Sequence, residues 1–387
     1  MAELPLIVHL DADAFFVACE QAKDPTLLGK VCAVGGRERG IIASASYEAR
    51  AKGVYTPMPT SKALKLCPDL IIIPVTPGLY SEISNKMFDL CETLTPYVER
   101  NSIDEGYLDL SICGFKTIQE VETAVKKLQV RIMTELCIPI SMGIASNKLI
   151  SQIASKLRKP KGFVVIACGT EADFLYPLSV GKLPGIGTKT ELYLKEQGVT
   201  IIKDLFHRSD SELESILGSH WRDVMSMARG EDTRRVETEE VQAKSYSEQE
   251  TFSVDLKEFE AVERIIKRML DSLMNKLRLE GRRARTLTLK IRYPDFSDTS
   301  HGQSLALATD LESEFYPLVK PLLKEVWKKK QALRLVSVRI SGVDEGESQL
   351  EMFSQVEDKR RKLAGVLDRL NAISKDGVVK KGHQLEP

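Results

Sequence analysis

The apolar, strand-like run Leu6-Ile7-Val8-His9-Leu10 breaks into Asp11-Ala12-Asp13-Ala14-Phe15-Phe16, and this junction constrains the chain more than any other stretch. A second acidic stretch, Ser102-Ile103-Asp104-Glu105-Gly106-Tyr107, sits between Tyr97-Val98 and Tyr107-Leu108, again inside a β-like context. Carboxylates at strand ends that converge in space can hold two divalent ions about 4 Å apart, the arrangement used for in-line phosphoryl transfer. Either stretch alone would read as acids beside a strand. Together they ask for a sheet that brings both ends to one place.

Other features bound the answer. A chain of 387 residues exceeds what one hydrophobic core supports, so several domains are expected. The 55 basic and 55 acidic residues cancel, which removes a global positive field and leaves any nucleic-acid contact to local patches. Seven cysteines, odd in number and without CxxC spacing, argue against a zinc module or a disulfide framework and suit a reducing cytosol. The start lacks a basic leader, and no apolar run is long enough to span a bilayer. The expectation is a soluble, cytoplasmic protein with no membrane contact.

Along the chain, apolar runs at 6–10, 30–34, 41–45, 70–74, 107–111, 138–144 and 163–167 alternate with helical patterns at 79–94 and 117–136. This predicts a mixed sheet with helices on one face. From 166 to 233 short capped helices replace strands, and 234–246 is charged and aperiodic, a linker pattern. Residues 247–342 read β-α-β-β-α-β, with strands near 248–253, 286–293, 302–308 and 333–341 and helices at 257–279 and 311–329. A polar tail from 343 to 387 holds one helical stretch, 356–373. The fold class is α+β, multidomain.

Asp11 and Asp104 are the residues expected to bridge two Mg²⁺ ions, with the Ala12 carbonyl completing a shell and Glu105 orienting the ion that activates a hydroxyl. Mn²⁺ suits the same all-oxygen set. Phe15 and Phe16 would wall the space where a nucleotide sugar lies. Asp13 falls on the same side as Asp11, its role open. Ser44, Tyr47 and Arg50 are spaced by three, so a helix would put them on one face, where a hydroxyl, a phenol and a guanidinium suit triphosphate oxygens. Lys159, at a basic helix end, would reach the phosphates from the other side. Leu183-Pro184-Gly185-Ile186-Gly187, followed by a helix beginning near Lys189, reads as a helix-hairpin-helix whose backbone N–H groups approach a DNA phosphate. Arg283 and Arg285 form a further basic patch. Gln349-Leu350-Glu351-Met352-Phe353 places apolar residues in a polar spacer, as docking peptides do.

Taken together these residues resemble the Y-family of translesion DNA polymerases, in particular its bacterial polymerase IV branch, over about 1–353. His-Leu-Asp-Ala-Asp-Ala-Phe-Phe (9–16) is similar to that family's first motif, which implies Asp11 as a metal ligand and Phe16 as a steric gate against a ribose 2′-OH. Ala-Ser-Ala-Ser-Tyr-Glu-Ala-Arg (43–50) resembles the triphosphate motif, Ser-Ile-Asp-Glu-Gly-Tyr-Leu-Asp (102–109) the second acidic motif, and Ser-Lys-Leu-Arg-Lys-Pro (155–160) the Lys-Pro element. Gly106 stands where alanine is more usual. The resemblance implies a right-hand architecture: a mixed-sheet palm (1–10 and 76–165), small fingers (11–75), a helical thumb with the helix-hairpin-helix (166–233), a linker (234–246), a little finger (247–342) and a tail (343–387). Gln349, Leu350, Met352 and Phe353 resemble a sliding-clamp-binding peptide, here followed by residues 354–387. The implied activity is low-fidelity, template-directed DNA synthesis from dNTP on primer-template DNA by a monomer, without proofreading. Thr56-Pro57-Met58-Pro59 carries a proline where many relatives have a small residue, so lesion preference does not transfer. A non-catalytic DNA and clamp adaptor should have lost one of Asp11, Asp104 or Glu105, and all three are present. A nucleotidyl cyclase has no use for the hairpin.

Overall fold

The computed structural model describes residues 4–37, 39–239, 242–329, 331–345, 355–372, 379 and 382. Contacts divide the chain into two units, Met1–Glu240 and Val241–Pro387.

In the first unit, β1 (Ile7–Ala12) is the middle of a five-stranded sheet of order β5-β6-β1-β7-β8. The other strands are β5 (Val98–Arg100), β6 (Glu105–Asp109), β7 (Ile140–Ala145) and β8 (Phe163–Val165). β1 runs antiparallel to both neighbours, while β7 and β8 are parallel. Its central position follows from its sequence: Val8, His9 and Leu10 are fully buried, and a strand buried on both faces has to be flanked on both sides.

The helices Leu79–Glu92 and Ile118–Glu135 share a core with Val8, Leu10 and Ala12. The helix Phe15–Lys23, which periodicity did not signal, joins the same core through Phe15, Val17, Ala18 and Cys19. One expectation is corrected here: helices cover both faces of the sheet. His9 alternates with Val8 and Leu10, so it points to the opposite face, and there it meets Ser155 on the helix Lys148–Leu157. Gly143 on β7 makes this second layer possible. A Cβ there would lie 2.2 Å from the Ser151 carbonyl oxygen and 2.5 Å from the Ser155 nitrogen.

A small sheet of order β3-β2-β4 is built from β2 (Cys32–Gly35), β3 (Ile42–Ala45) and β4 (Ile71–Ile73). With the short helices Tyr47–Ala51 and Thr60–Leu66 it encloses a core rich in small side chains: Ala33, Ala45, Ala49 and Ala63 beside Ile42 and Met58. Residues 171–228 form short helices joined by turns, and their core of Leu183, Ile186, Leu194, Ile202, Leu205 and Trp221 continues into Leu149 and Ile153 of the helix Lys148–Leu157.

The end of the helical region and the start of the stretch read as a linker (234–246) are fastened down. Asp232 accepts the Leu149 N–H at 2.9 Å, Asn147 donates to the Gly230 carbonyl at 2.9 Å, and the Glu237 N–H donates to Glu99 at 2.8 Å. Glu99 itself holds the buried Lys148 ammonium at 2.6 and 2.7 Å. The Lys148 ammonium also donates to the Arg235 carbonyl at 3.3 Å, so backbone groups of this stretch are partners of a buried pair.

The second unit is an antiparallel sheet of order β11-β10-β12-β9, formed by β9 (Ser245–Leu256), β10 (Arg282–Arg292), β11 (Asp298–Thr309) and β12 (Leu333–Ser341). A short β13 (Asp344–Glu345) pairs with the start of β10. The helices Phe259–Leu279 and Glu312–Val326 bury Ile266, Leu270, Phe315 and Val319 against Leu287, Leu289, Ile291, Val336 and Val338. A further helix, Gln355–Ala372, is tied to this unit by ion pairs: Arg278 grips Asp368 at 2.7 and 3.0 Å and Glu312 at 2.6 Å, and Arg361 donates to Asp310 at 3.0 Å.

Candidate active site

Strand register brings the two acidic stretches together. Asp11 lies directly opposite Glu105 across the β1–β6 pairing, and the Ala12 N–H donates to the Asp104 carbonyl at 2.9 Å. Asp104 sits in the bend before β6, where Ser102 Oγ donates to it at 2.6 Å. Glu105 accepts from Asn101 at 2.7 Å and from Lys156 at 2.9 Å. Lys159 donates to Asp11, and Lys156 stands 3.7 Å from the other Asp11 oxygen. Two ammonium groups are therefore threaded between the Asp11 and Glu105 carboxylates. Burial pushes the Asp11 carboxyl up from its ordinary value, against the opposing pull of Lys159 and Lys156. Burial also pushes Glu105 up, but the Lys156 hydrogen bond and charge outweigh it and hold that carboxyl low.

Below this floor lies His9. Its Nδ1 is 2.7 Å from Ser155 Oγ, a hydroxyl that also lies 2.9 Å from the Gln152 carbonyl. Nε2 is left buried without a hydrogen-bond partner, 3.8 Å from Glu105 Oε2. Burial lowers the His9 pKa to about 3, with Glu105 opposing and the neighbouring lysines reinforcing the shift. Tyr107 meets the imidazole edge-on, ring centroids 4.7 Å apart, and Lys148 lies 4.6 Å from the Tyr107 ring centre. Next to the acids, Gly106 is packed under the Phe88 ring. A Cβ there would come within 2.7 Å of that ring and 2.6 Å of the Glu99 carbonyl oxygen.

A cavity of about 180 Å³ opens beside the acids, lined by Asp11, Ala12, Ala14, Phe15, Phe16, Ala43, Ser44, Arg50, Thr56, Asp104 and Lys159. The structure thus brings most of the predicted nucleotide and metal residues to one cleft. The Phe16 ring stacks on Tyr80 at 4.5 Å. Ser44 is on β3 and Arg50 on the following helix, so they meet across a strand-to-helix turn and not along one helical face. Tyr47 is turned away from the cavity wall: its hydroxyl reaches Asp13 at 3.4 Å, and its ring lies 4.8 Å under the Arg50 guanidinium. Glu105 also stands behind the wall, with Lys156 and His9. The sequence reading missed His9, Lys156, Tyr80 and Thr56. Lys156 had a signal, since it sits in the same basic run as Lys159. The role of His9 had none, because its partners lie far along the chain.

Away from the cleft, Gly185 takes φ +87° and Gly187 starts the helix Thr188–Glu196, with Lys189 exposed in its first turn. Ile186 packs in the helical core and its N–H donates to the Leu183 carbonyl at 3.2 Å, so neither its side chain nor its amide faces outward. As a direct DNA contact it is corrected to a core residue of the turn. In the second unit, Arg283 and Arg285 stand at the start of β10. The sheet face bare of helices presents rows that no motif announced: Thr286, Thr288, Lys290 and Arg292 on β10, beside Ser304, Gly302 and Ser300 on β11 and Ser341, Arg339 and Ser337 on β12. Gln349, Leu350, Met352 and Phe353 lie outside the described residues.

As they stand, the described residues form no ready-made cluster of three metal-coordinating side chains. The donor chemistry nevertheless fits Mg²⁺ or Mn²⁺: Asp11, Asp104 and the Ala12 carbonyl supply only oxygen, the ligands these ions prefer, with substrate phosphates as usual co-ligands.

Residues 10–156 match the impB/mucB/samB family, and residues 243–352 match the C-terminal domain of the same family. A DNA polymerase IV from Opitutus terrae is 62% identical over 383 residues, covering 99% of this chain and 98% of its own. A DNA polymerase IV from Dehalococcoides mccartyi is 34% identical, covering 94% of this chain and 93% of its own. Among solved structures, a Y-family DNA polymerase chimera of Dbh and Dpo4 superposes with a TM-score of 0.79 at 25% identity, covering 87% of this chain and 99% of its own. An insertion ternary complex of Dbh DNA polymerase superposes with a TM-score of 0.63 at 25% identity, covering 87% and 98%.

Proposed function

We propose a function on one premise: the chain belongs to the impB/mucB/samB family, the Y-family of DNA polymerases. It is a DNA-directed DNA polymerase that copies a template in translesion synthesis, with primer-template DNA and dNTP as substrates. The observation that carries this reading is the register of β1 against β6. It sets Asp11 and Asp104 in a cleft that Phe16, Ser44, Arg50 and Lys159 also line, with Glu105 directly behind.

The finer mechanism follows from the same residues. Bound by Asp11, Asp104 and the Ala12 carbonyl, two Mg²⁺ ions would lower the pKa of the primer 3′-OH and offset charge on the reacting phosphates. Lys159 would have to leave Asp11 for this, and it then faces the triphosphate together with Arg50 and Ser44, where guanidinium and ammonium groups neutralise developing charge. Phe15 and Phe16 flank the sugar, Phe16 held in place by Tyr80, and a 2′-OH would meet the Phe16 ring. Glu105 keeps its negative charge because Lys156 pairs with it. The α-phosphate is attacked by the 3′-oxygen and pyrophosphate leaves.

DNA would be held through phosphates, without sequence reading, by Gly185, Gly187 and Lys189 in the first unit. In the second unit Arg283, Arg285 and the bare sheet face with Lys290, Arg292 and Arg339 would serve. We further propose that the enzyme works as a cytoplasmic monomer, engages a sliding clamp through Gln349, Leu350, Met352 and Phe353, and lacks proofreading. No helix among the described residues is long and apolar enough to cross a membrane.

The test is extension of a labelled primer on an undamaged template with Mg²⁺ and four dNTPs, comparing wild type with Asp104→Ala. Wild-type extension and a loss of roughly 10³-fold or more in the variant are expected. Equal rates in the two proteins would remove Asp104 from the chemistry.

A further inference from the structure

Asp13 follows Asp11 by two residues, yet it is fully buried and forms no part of the cleft wall. A buried carboxylate is costly unless several donors satisfy it, and here the donors come from three separate stretches of chain. Ser141 Oγ, on β7, lies 3.0 Å from both Asp13 oxygens; since that oxygen already accepts the Gly162 N–H at 2.9 Å, its proton goes to Asp13. The Lys161 N–H donates at 2.7 Å. The Tyr47 hydroxyl reaches Oδ1 at 3.4 Å, and the Lys159 ammonium stands 3.5 Å from the same oxygen. The Asp13 N–H is in turn anchored on the Pro139 carbonyl at 2.8 Å.

Holding the sheet together would require only Ser141 and the loop amide. The remaining two partners lead to the cleft. Lys159 lines it directly, and Tyr47 carries Arg50, which lines it, stacked on its ring at 4.8 Å. Burial and the Asp13 charge keep the Tyr47 phenol protonated, so it stays a donor to this carboxylate. Lys159 is shared between Asp11 and Asp13, so it retains an anionic partner when Asp11 is engaged elsewhere.

We propose that Asp13 is a positioning residue for the triphosphate: one buried carboxylate sets both the loop that carries Lys159 and the turn that carries Tyr47 and Arg50. The inference rests on reading Lys159 and Arg50 as triphosphate ligands.

The experiment measures single-nucleotide insertion by the full-length protein for Asp13→Asn, for Lys159→Ala with Tyr47→Phe, and for all three changes together. Asp13→Asn is expected to raise KM for dNTP roughly 10-fold or more, with kcat within about threefold of wild type. In the Lys159→Ala, Tyr47→Phe background the same change should add little to KM, because its route of action is already gone. Full additivity there, or an unchanged KM in Asp13→Asn, overturns the inference. If Lys159→Ala with Tyr47→Phe leaves KM unchanged, it is the triphosphate reading of the cleft that fails. Should Asp13→Asn not fold, Ser141→Ala removes one donor while leaving the charge. A KM rise of roughly threefold is expected for it, and no rise overturns the inference.

Discussion

The two large sheets of this molecule are built from similar material and used in opposite ways. In the first unit, helices cover both faces of the β5-β6-β1-β7-β8 sheet, and the polar chemistry is pushed to the ends of β1 and β6, over a buried histidine and a buried aspartate. In the second unit, helices cover one face, and the other carries hydroxyls and cations in open rows across β11, β10 and β12. A reaction needs a few groups fixed against each other, which burial supplies. Holding a polyanion needs many tolerant contacts, which an exposed sheet supplies. The same alternation of side chains along a strand serves both ends, depending on whether the second face is covered.

The sharpest way to break this contrast is to load each sheet with a small change in side-chain volume. Gly143→Val drives a side chain into the backbone of the helix Lys148–Leu157 and should cost roughly 3 kcal/mol or more, or prevent folding. Ser300→Ala, on the open face, should stay within about 0.5 kcal/mol of wild type. Chemical denaturation checks both, and equal effects would mean that the two sheets are not buried differently. A smaller effect is expected from charge removal on the open face. Lys290→Ala with Arg339→Ala should weaken primer-template binding roughly 10-fold at low salt and reduce the slope of log affinity against log salt by about 2. kcat at saturating DNA should not change; a fall in kcat with unaltered salt slope would give that face a catalytic part.

An effect on pH dependence is expected from His9. Its pKa is about 3 in the folded protein against an ordinary 6.5, so between these values the unfolded chain binds a proton the folded one refuses. Stability should therefore fall as pH drops through that window, by roughly 2 kcal/mol between neutral pH and about pH 5 on account of this residue. His9→Phe should show a flatter pH dependence of its denaturation midpoint. Parallel curves would mean that His9 is charged in the folded state.

What the sequence made legible were arrangements carried by neighbours in the chain. Asp11, Asp104, Glu105, Phe16, Ser44 and Arg50 all sit in short stretches whose local pattern announces a strand end or a strand-to-helix turn, and most of them line one cleft. What it hid were partnerships made at a distance. Nothing near His9 tells of Ser155, and nothing near Asp13 tells of Ser141 or Lys161. The second helical layer was hidden for the same reason: Gly143 lies inside the apolar run of β7 and gives no local sign of the helix that crosses it. Where the helical region meets the 234–246 stretch, backbone groups bond Glu99, Lys148 and Asn147, and Asp232 accepts the Leu149 N–H; the charged sequence announces none of these.

Gly106 has a consequence for how this site can change. The Phe88 ring and the Glu99 carbonyl occupy the space an alanine methyl would need. The second acidic motif is therefore not portable: grafted here in its alanine form, it would strain the β5–β6 hairpin unless residue 88 had first become smaller and the Glu99 carbonyl had moved aside. Substitutions at 88 and 106 are epistatic, and the route between the two forms runs through the smaller ring position before the larger motif residue. Order of arrival, as much as chemistry, decides which version of the motif this chain can accept.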